Sequence, residues 1–216
     1  MAKKHKILNL IETGEGKQLD FKFEVSDAAK IARSLVSFAN TSGGKLLIGV
    51  KDTGEISGIM SEEELFMIEN AAAKYCIPQV PFSYKEWHLN GKKILEINIV
   101  KSTNAPHKTP DQNGRLKAYV RIQDQNKLAN GIQMKIWEKL NPQRDIKFVY
   151  SENAKKLLNM LGKYDSLPLK QIVSKLSLSR FKIENMIAEL IIMRVINMTV
   201  TESITSFSLR DPLDDD

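Results

Sequence analysis

Residues 26–50 constrain the fold most, because they spell an amphipathic helix, a tight turn and a buried strand in immediate succession. Ser26 and Asp27 are N-cap residue types, and apolar side chains then recur at three- and four-residue spacing as far as Phe38. Gly43 and Gly44 provide the backbone freedom for a sharp reversal. The apolar run at residues 45–50 then predicts a strand. A helix packed on the strand that follows it predicts a mixed α+β domain.

The flanking segments extend this pattern. Residues 4–12 read as a short helix, 19–23 as a strand, 51–55 as a turn and 56–59 as a short strand. Ser61 followed by Glu64 predicts a capping box at the start of a second helix. Two strands, residues 82–89 and 93–100, are joined by Asn90 and Gly91, a favoured hairpin turn. After a polar loop at residues 101–115, residues 117–122 predict a strand and residues 130–138 a helix.

Several short blocks in this order carry a family resemblance. They are the strand at residues 19–22, the helix–turn–strand at residues 34–50, the Asp-Thr-Gly turn at residues 52–58 and the strand at residues 119–122. Together they resemble the AlbA_2 domain of Schlafen proteins and bacterial regulator-like proteins, over roughly residues 14–129. The resemblance implies a nucleic-acid-binding domain with a transcriptional or defence-related regulatory role.

A second domain is expected after a change of composition at residues 141–150. We therefore predict a first domain at residues 1–145, a second at residues 151–210 and an acidic, disordered tail at residues 211–216. Three helical patterns and a β-ribbon in the second domain resemble a small winged helix-turn-helix. Its recognition helix would present Arg180, Lys182 and Asn185 to DNA. The apolar residues of that helix leave a homodimer through this domain as the alternative.

The net charge of +6 suits a phosphate-rich partner, although a positive balance also serves solubility alone. Four lysines surround the segments that carry the resemblance: Lys17, Lys22, Lys45 and Lys51. Three further cations could extend the same face: Arg115, Lys117 and Arg121. The backbone N–H groups of Gly43 and Gly44 could also meet a phosphate, against the simpler reading of a helix-to-strand turn. Tyr119 is expected in the core rather than stacked on a base.

Three carboxylates raise the question of catalysis. The resemblance implies that Glu15, Asp20 and Asp52 occupy the positions associated with Schlafen nucleases, with Asp20 in place of the more usual Glu. Such a trio would bind a divalent metal such as Mg²⁺ or Mn²⁺ to activate water. The simpler interpretation is a set of solvated turn residues beside lysines. No nucleotide-binding motif is present, so no cofactor is expected apart from that metal. His107 is expected to be a surface residue of the loop.

The remaining sequence features set the cellular context. Cys76 has no partner for an internal disulfide, which suits a reducing compartment. No apolar run is long enough to cross a membrane, and the start lacks a signal-peptide pattern. We therefore expect a cytoplasmic protein whose partner is nucleic acid, DNA or RNA. A metal-dependent RNase or DNase and a dimerising interaction module remain the alternatives.

Overall fold

The computed structural model describes residues 6–140 and 150–211. The chain divides into two compact units, Met1–Ala129 and Asn130–Asp216. The expected boundary segment at residues 141–149, and residues 212–216 of the expected tail, lie outside the described residues.

The first unit is built on a mixed four-stranded sheet with the order β1-β2-β4-β3. Its strands are β1 (Leu19–Lys22), β2 (Gly44–Ile48), β3 (Phe82–Leu89) and β4 (Lys92–Ile99). β1 and β2 run parallel because helix α2 (Ala28–Ala39) connects them, whereas the other pairs are antiparallel. The hairpin turn between β3 and β4 forms at Asn90 and Gly91 as predicted, with φ values of 50° and 75°.

Helices cover both faces of this sheet. On one face, Leu46, Leu95 and Ile97 pack with the apolar stripe of α2. On the other face, Leu47 and Ile94 pack with helix α1 (Lys6–Glu12). Successive residues of a strand point to opposite faces, so each strand divides its side chains between an α1 side and an α2 side.

Local capping fixes both ends of α2. The Asp27 carboxylate accepts hydrogen bonds from the N–H groups of Ala29 and Lys30, at 2.8 and 3.3 Å, so the predicted cap is confirmed. At the other end, the N–H of Gly43 donates to the carbonyl of Phe38 at 2.9 Å and closes the reversal into β2.

Helix α3 (Glu63–Asn70), which continues as a π-helical turn (Ala71–Tyr75), starts differently from the prediction. The Ser61 hydroxyl accepts from the N–H of Glu63 rather than that of Glu64, and the Glu64 carboxylate accepts from the N–H groups of Met60 and Val25. The capping box is therefore not formed. The strand expected at residues 56–59 reduces to one bridge between Val50 and Ile56.

The described part of the first unit ends in a three-stranded antiparallel sheet with the order β5-β6-β7. The strands are β5 (Lys108–Pro110), β6 (Leu116–Ile122) and β7 (Gln125–Leu128). Only β6 was predicted, because β5 and β7 are short and lack an alternating pattern.

The second unit contains four helices and a small sheet in its described residues. The helices are α4 (Gly131–Leu140), α5 (Glu152–Leu161), α6 (Leu169–Lys175) and α7 (Arg180–Ile192). Strands β9 (Ile196–Val200) and β10 (Thr205–Leu209) form a hairpin, and β8 (Leu167–Pro168) pairs with β10. The division of the chain falls before α4 and not near residue 145, because Ile132 and Ile136 pack in the core of the second unit. No helix among the described residues is long and apolar enough to cross a membrane.

Candidate nucleic-acid interface

An open cleft of about 640 Å³ lies in the first unit where three segments meet. One wall is the loop after α1, with Gly14, Glu15 and Gly16. A second wall is the turn from Ser42 to Lys45, and a third is the end of β4 and the residues after it. The lining comprises Leu10, Thr13, Gly14, Glu15, Gly16, Gln18, Leu19, Ser42, Gly43, Gly44, Lys45, Asn98, Ile99, Val100 and Lys101. The cleft thus brings together four of the predicted site residues: Glu15, Gly43, Gly44 and Lys45.

The two glycines shape the cleft in different ways. Gly43 has a φ of 69°, and a Cβ there would lie 2.7 Å from the carbonyl oxygen of Ile99. Gly44 has an ordinary φ, but a Cβ would lie 2.5 Å from the Phe38 ring. The N–H of Gly43 is already bonded to Phe38, so the expectation that it meets a phosphate is wrong. This amide therefore serves the helix-to-strand turn.

Lysine side chains supply positive charge at the cleft. The Lys45 ammonium pairs with the Glu96 carboxylate, and the Lys45 side chain is 37% exposed. Burial opposes the ionisation of Glu96, but hydrogen bonds from Lys45 and Trp87 outweigh it and lower the pKa of Glu96. Lys101 is exposed on the third wall, and Lys17 is exposed on the loop that forms the first. Lys45 and Lys101 therefore line the cleft, and Lys17 lies beside it on the loop of the first wall.

Arg121 does not extend this surface, and that prediction is wrong. Its side chain is 1% exposed, and its guanidinium forms an ion pair with Asp20 at 3.1 Å. The same group donates to the carbonyls of Gly16 and Leu19, at 3.1 and 3.3 Å. Arg121 therefore fixes the loop between α1 and β1, which carries Glu15 and Lys17.

A polar network surrounds this ion pair. Asn126 accepts from Arg121 at 3.1 Å and from Ser37 at 2.6 Å, and donates to Ser34 at 3.0 Å. Ser34 in turn donates to Asp20 at 3.4 Å. The network ties α2 and the β6–β7 hairpin to β1, and each of its polar groups has a partner, as burial requires.

Glu15 links this network to the cleft. Its carboxylate accepts the N–H of Phe21 at 2.8 Å, and it shares a hydrogen bond with Asp20. Burial, with a further contribution from the hydrogen bond and charge of Asp20, raises the pKa of Glu15 to about 7, although the Phe21 N–H and the Lys22 charge oppose the change. Glu15 is therefore close to half protonated near neutral pH.

The carboxylates do not fit a divalent metal as they are arranged. The oxygens of Asp20 accept from Arg121 and Ser34, and the Lys22 ammonium lies 3.1 Å from one of them. Asp52 is exposed in the turn after β2. Across residues 6–140 and 150–211, no group of three His, Cys, Asp or Glu side chains could hold a metal ion. A carboxylate lone pair that already accepts a hydrogen bond from arginine is not available to coordinate a metal.

The remaining predicted cations of the first unit lie elsewhere. Lys22 shares the α2 side of the sheet with Asp20, whereas Lys45 lies on the α1 side. Lys51 pairs with Glu55 at 2.9 Å beyond the far end of β2. Arg115 and Lys117 lie on the β5–β6 hairpin. Among the cations predicted in this unit, Lys45 lines the cleft and Lys17 adjoins it.

Two residues of the polar loop and β6 have structural roles. His107 is 2% exposed, contrary to its predicted surface position; its ring nitrogens contact the carbonyl of Pro78 and the hydroxyl of Ser102, at 2.8 and 2.7 Å. Tyr119 is 8% exposed, so its predicted place in the core is confirmed. The Asn40 amide donates to the backbone carbonyls of both residues at 2.9 Å. Asn40 therefore joins the end of α2 to the loop and to β6.

In the second unit, the predicted recognition residues lie at the start of α7. Arg180 donates to Glu184 at 2.8 Å, and Asn185 donates to the Phe181 carbonyl of its own helix at 3.0 Å. Lys182 is exposed. α4 packs against α7, where Lys139 pairs with Glu189 at 2.8 Å and the Lys135 ammonium lies 3.8 Å from the Phe181 ring centroid.

Sequence reasoning missed Asn98 and Lys101 in the cleft, and Ser34, Ser37 and Asn126 in the network. Lys101 had a usable signal, because it directly follows a predicted strand and opens a loop of 15 polar-rich residues. The network residues had none, since Ser37 and Asn126 are separated by 89 residues.

The fold and the cleft define a mixed α+β domain with lysines around a glycine turn. Residues 15–130, just over half of the chain, match the sequence profile of the family described as Schlafen, AlbA_2. The chain therefore belongs to the Schlafen AlbA_2 family.

Solved structures give weaker likenesses. The DIP2311 protein from Corynebacterium diphtheriae is 17% identical with a TM-score of 0.47, over 68% of this chain and 34% of that one. This chain thus spans about a third of the length of that protein. The N-terminal domain of an ATP-dependent DNA helicase RecG-related protein from Nitrosomonas europaea is 15% identical with a TM-score of 0.38, over 70% of this chain and 97% of that domain. Among curated proteins, none matches this sequence.

Proposed function

We propose that this protein binds nucleic acid, DNA or RNA, and that the cleft of the first unit contacts the phosphate backbone in a regulatory role. The observation that carries the proposal is the presence of Lys45, Lys101 and Lys17 on or beside the three walls of one open cleft. Membership of the Schlafen AlbA_2 family supports it. A cleft lined by cations concentrates a polyanion and strengthens each contact with a phosphate.

The second unit supports a further contact. In this proposal the second unit is a winged helix with α7 as its recognition helix; the order α5, β8, α6, α7 and the β9–β10 hairpin supports this assignment. In this proposal Lys182 contacts DNA directly, while Arg180 and Asn185 must first exchange their present partners. A homodimer through this unit remains a prediction that size-exclusion chromatography with light scattering tests.

Binding measured against salt concentration tests the proposal. Each phosphate contact steepens the fall of the logarithm of affinity with the logarithm of salt by roughly 0.7 to 0.9. Lys101→Ala should therefore weaken binding of a labelled oligonucleotide and reduce that slope by about one contact. Lys45→Gln should act similarly, with thermal unfolding measured alongside because Glu96 loses its ion-pair partner and keeps the hydrogen bond from Trp87.

Lys51→Ala is the matched control, because it removes the same charge beyond the other end of β2. Affinity that is insensitive to salt would overturn the proposal. Equal losses in Lys51→Ala and Lys101→Ala would place the contact outside the cleft.

A further inference from the structure

A second surface continues from the cleft along the α1 side of the sheet. Asn98, which lines the cleft, is the register partner of Ser83 on the edge strand β3. Ser83, Lys85 and Trp87 alternate along β3 on this side, and Ser83 and Lys85 are exposed. We call Ser83, Lys85, Trp87 and Asn98 the open sheet face.

Trp87 is held in a fixed position on this face. Its indole N–H donates to one oxygen of Glu96 at 2.7 Å, and the other oxygen of Glu96 receives the Lys45 ammonium. Its ring also packs beside the apolar cluster under α1. Because Lys45 belongs to the cleft, a single carboxylate connects the cleft lysine to the tryptophan.

A cation already occupies one face of the Trp87 ring. The Lys85 ammonium lies 3.7 Å from the ring centroid, and Lys85 is exposed to solvent. A lysine over an indole is a weak interaction at an exposed site, of about 0.5–1 kcal/mol. A flat group with stronger stacking can therefore displace the lysine, which would remain nearby to meet a negative charge.

The distances suit a nucleic-acid chain. Asn98 and Ser83 are neighbours across two paired strands, about 5 Å apart at their Cα atoms. Trp87 lies four residues further along β3, or about 13 Å. A chain that leaves the cleft at Asn98 thus reaches the tryptophan within a short run of nucleotides.

We propose that a single-stranded nucleic acid bound at the cleft continues along β3, where one base stacks on Trp87 and Lys85 turns to the adjoining phosphate. This inference rests on the proposed function and narrows its ligand. A base inside a duplex is covered on both faces by its neighbours, so only an unpaired strand can offer a base to the ring.

Fluorescence tests the stacking directly, because the chain contains two tryptophans, Trp87 and Trp137. In Trp137→Phe, the remaining emission comes from Trp87. A single-stranded oligothymidylate or oligouridylate should quench it in step with binding, whereas a duplex of equal length should not. Trp87→Leu, which retains Trp137 in α4, should show no quenching.

Affinity gives the second readout. Loss of one base–aromatic stack should weaken single-strand binding by about 5- to 150-fold in Trp87→Leu. Tyr84→Leu is the matched control, since Tyr84 is an aromatic residue of the same strand, 50% exposed, that points to the α2 side. Thermal unfolding of each variant separates lost stacking from lost folding.

The outcomes distinguish the stacking on Trp87 from the proposed binding of nucleic acid at the cleft. If Lys101→Ala weakens binding while Trp87 is not quenched and Trp87→Leu binds normally, stacking is overturned and the cleft stands. If the unaltered protein binds no oligonucleotide, both are overturned. Should Trp87→Leu unfold, the quenching of Trp87 in Trp137→Phe still decides the question.

Discussion

The guanidinium of Arg121 and the carboxylate of Asp20 lie 3.1 Å apart in the interior, with side chains 1% and 4% exposed, although 101 residues separate them in the chain. Arg121 also bonds the carbonyls of Gly16 and Leu19. One arginine on β6 therefore determines where the loop before β1 lies, and with it the position of Glu15 at the cleft.

Arg121→Met should destabilise the protein by about 3–5 kcal/mol, because it leaves Asp20 as a buried carboxylate without its main partner. Chemical denaturation measures the loss. Arg115→Met is the control, since Arg115 is exposed and its hydrogen bond to Asp111 uses only backbone N–H. Equal losses in the two variants would contradict the role of the ion pair.

Stability should also depend on pH through Glu15. Its pKa is raised from 4.5 to about 7 by folding, so between these values the folded state holds a proton that the unfolded chain has released. The free energy of unfolding should therefore decrease as pH rises from about 4.5 to 7. Denaturation of Glu15→Gln across this range should lack this contribution. An unchanged pH profile in the variant would show that Glu15 does not titrate as described.

Oligonucleotide binding should also depend on the protonation of Glu15. Below pH 7 the Glu15 carboxyl is mostly neutral, whereas above it a negative charge lines the cleft and repels phosphate. We expect oligonucleotide affinity to fall severalfold from pH 6 to pH 8 at constant salt, as fluorescence anisotropy would measure. Glu15→Gln should remove this change. A fall that persists in the variant must come from another group.

The turn at the cleft should tolerate no side chain. Gly43→Ala forces a left-handed backbone on alanine, which costs about 1–2 kcal/mol, and adds a contact with the Ile99 carbonyl at 2.7 Å. Gly114→Ala has a similar φ of 73° but open space around the new Cβ. Thermal unfolding should therefore show a distinctly larger loss for Gly43→Ala. Similar losses would mean that the turn can relax.

Cys76 should be unreactive in the folded protein. The thiol is 1% exposed, and burial raises its pKa to about 12, so little thiolate forms near neutral pH. A disulfide reagent such as DTNB should modify it about a thousandfold more slowly than in denaturant. Rapid modification of the native protein would show that the π-helical turn before Cys76 opens readily.

Structural features that depend on residues close together in the sequence were predictable. The Asp27 cap, the Asn90–Gly91 turn and the apolar stripe of α2 each depend on neighbours within a few positions. Arg121 was not predictable in this way, because its charge suggested a surface while its partner lies in β1. The Arg121 side chain is buried because it pairs with a carboxylate that is distant in sequence. The residues around Arg121 give no indication of that partner.

The candidate site was predicted only in part, for the same reason. Lys45 and the glycines were found because they lie in one continuous motif. Lys22 and Lys45 appeared to share a face, but the alternation of strand residues places them on opposite sides of the sheet. Asn98 and Lys101 reach the cleft through the pairing of β4 with β2, which sequence spacing does not encode.

The packing of α4 dictates how this chain can be shortened. A fragment that ends after Ala129 retains the whole first unit, including the hydrogen bond from the N–H of Ala129 to the carbonyl of Ala118. A fragment that ends at residue 145 keeps a helix whose Ile132 and Ile136 have lost the side chains that shield them from water. The longer fragment would thus expose an apolar stripe that favours aggregation, and the shorter fragment would be the better choice for experiments on the first unit alone.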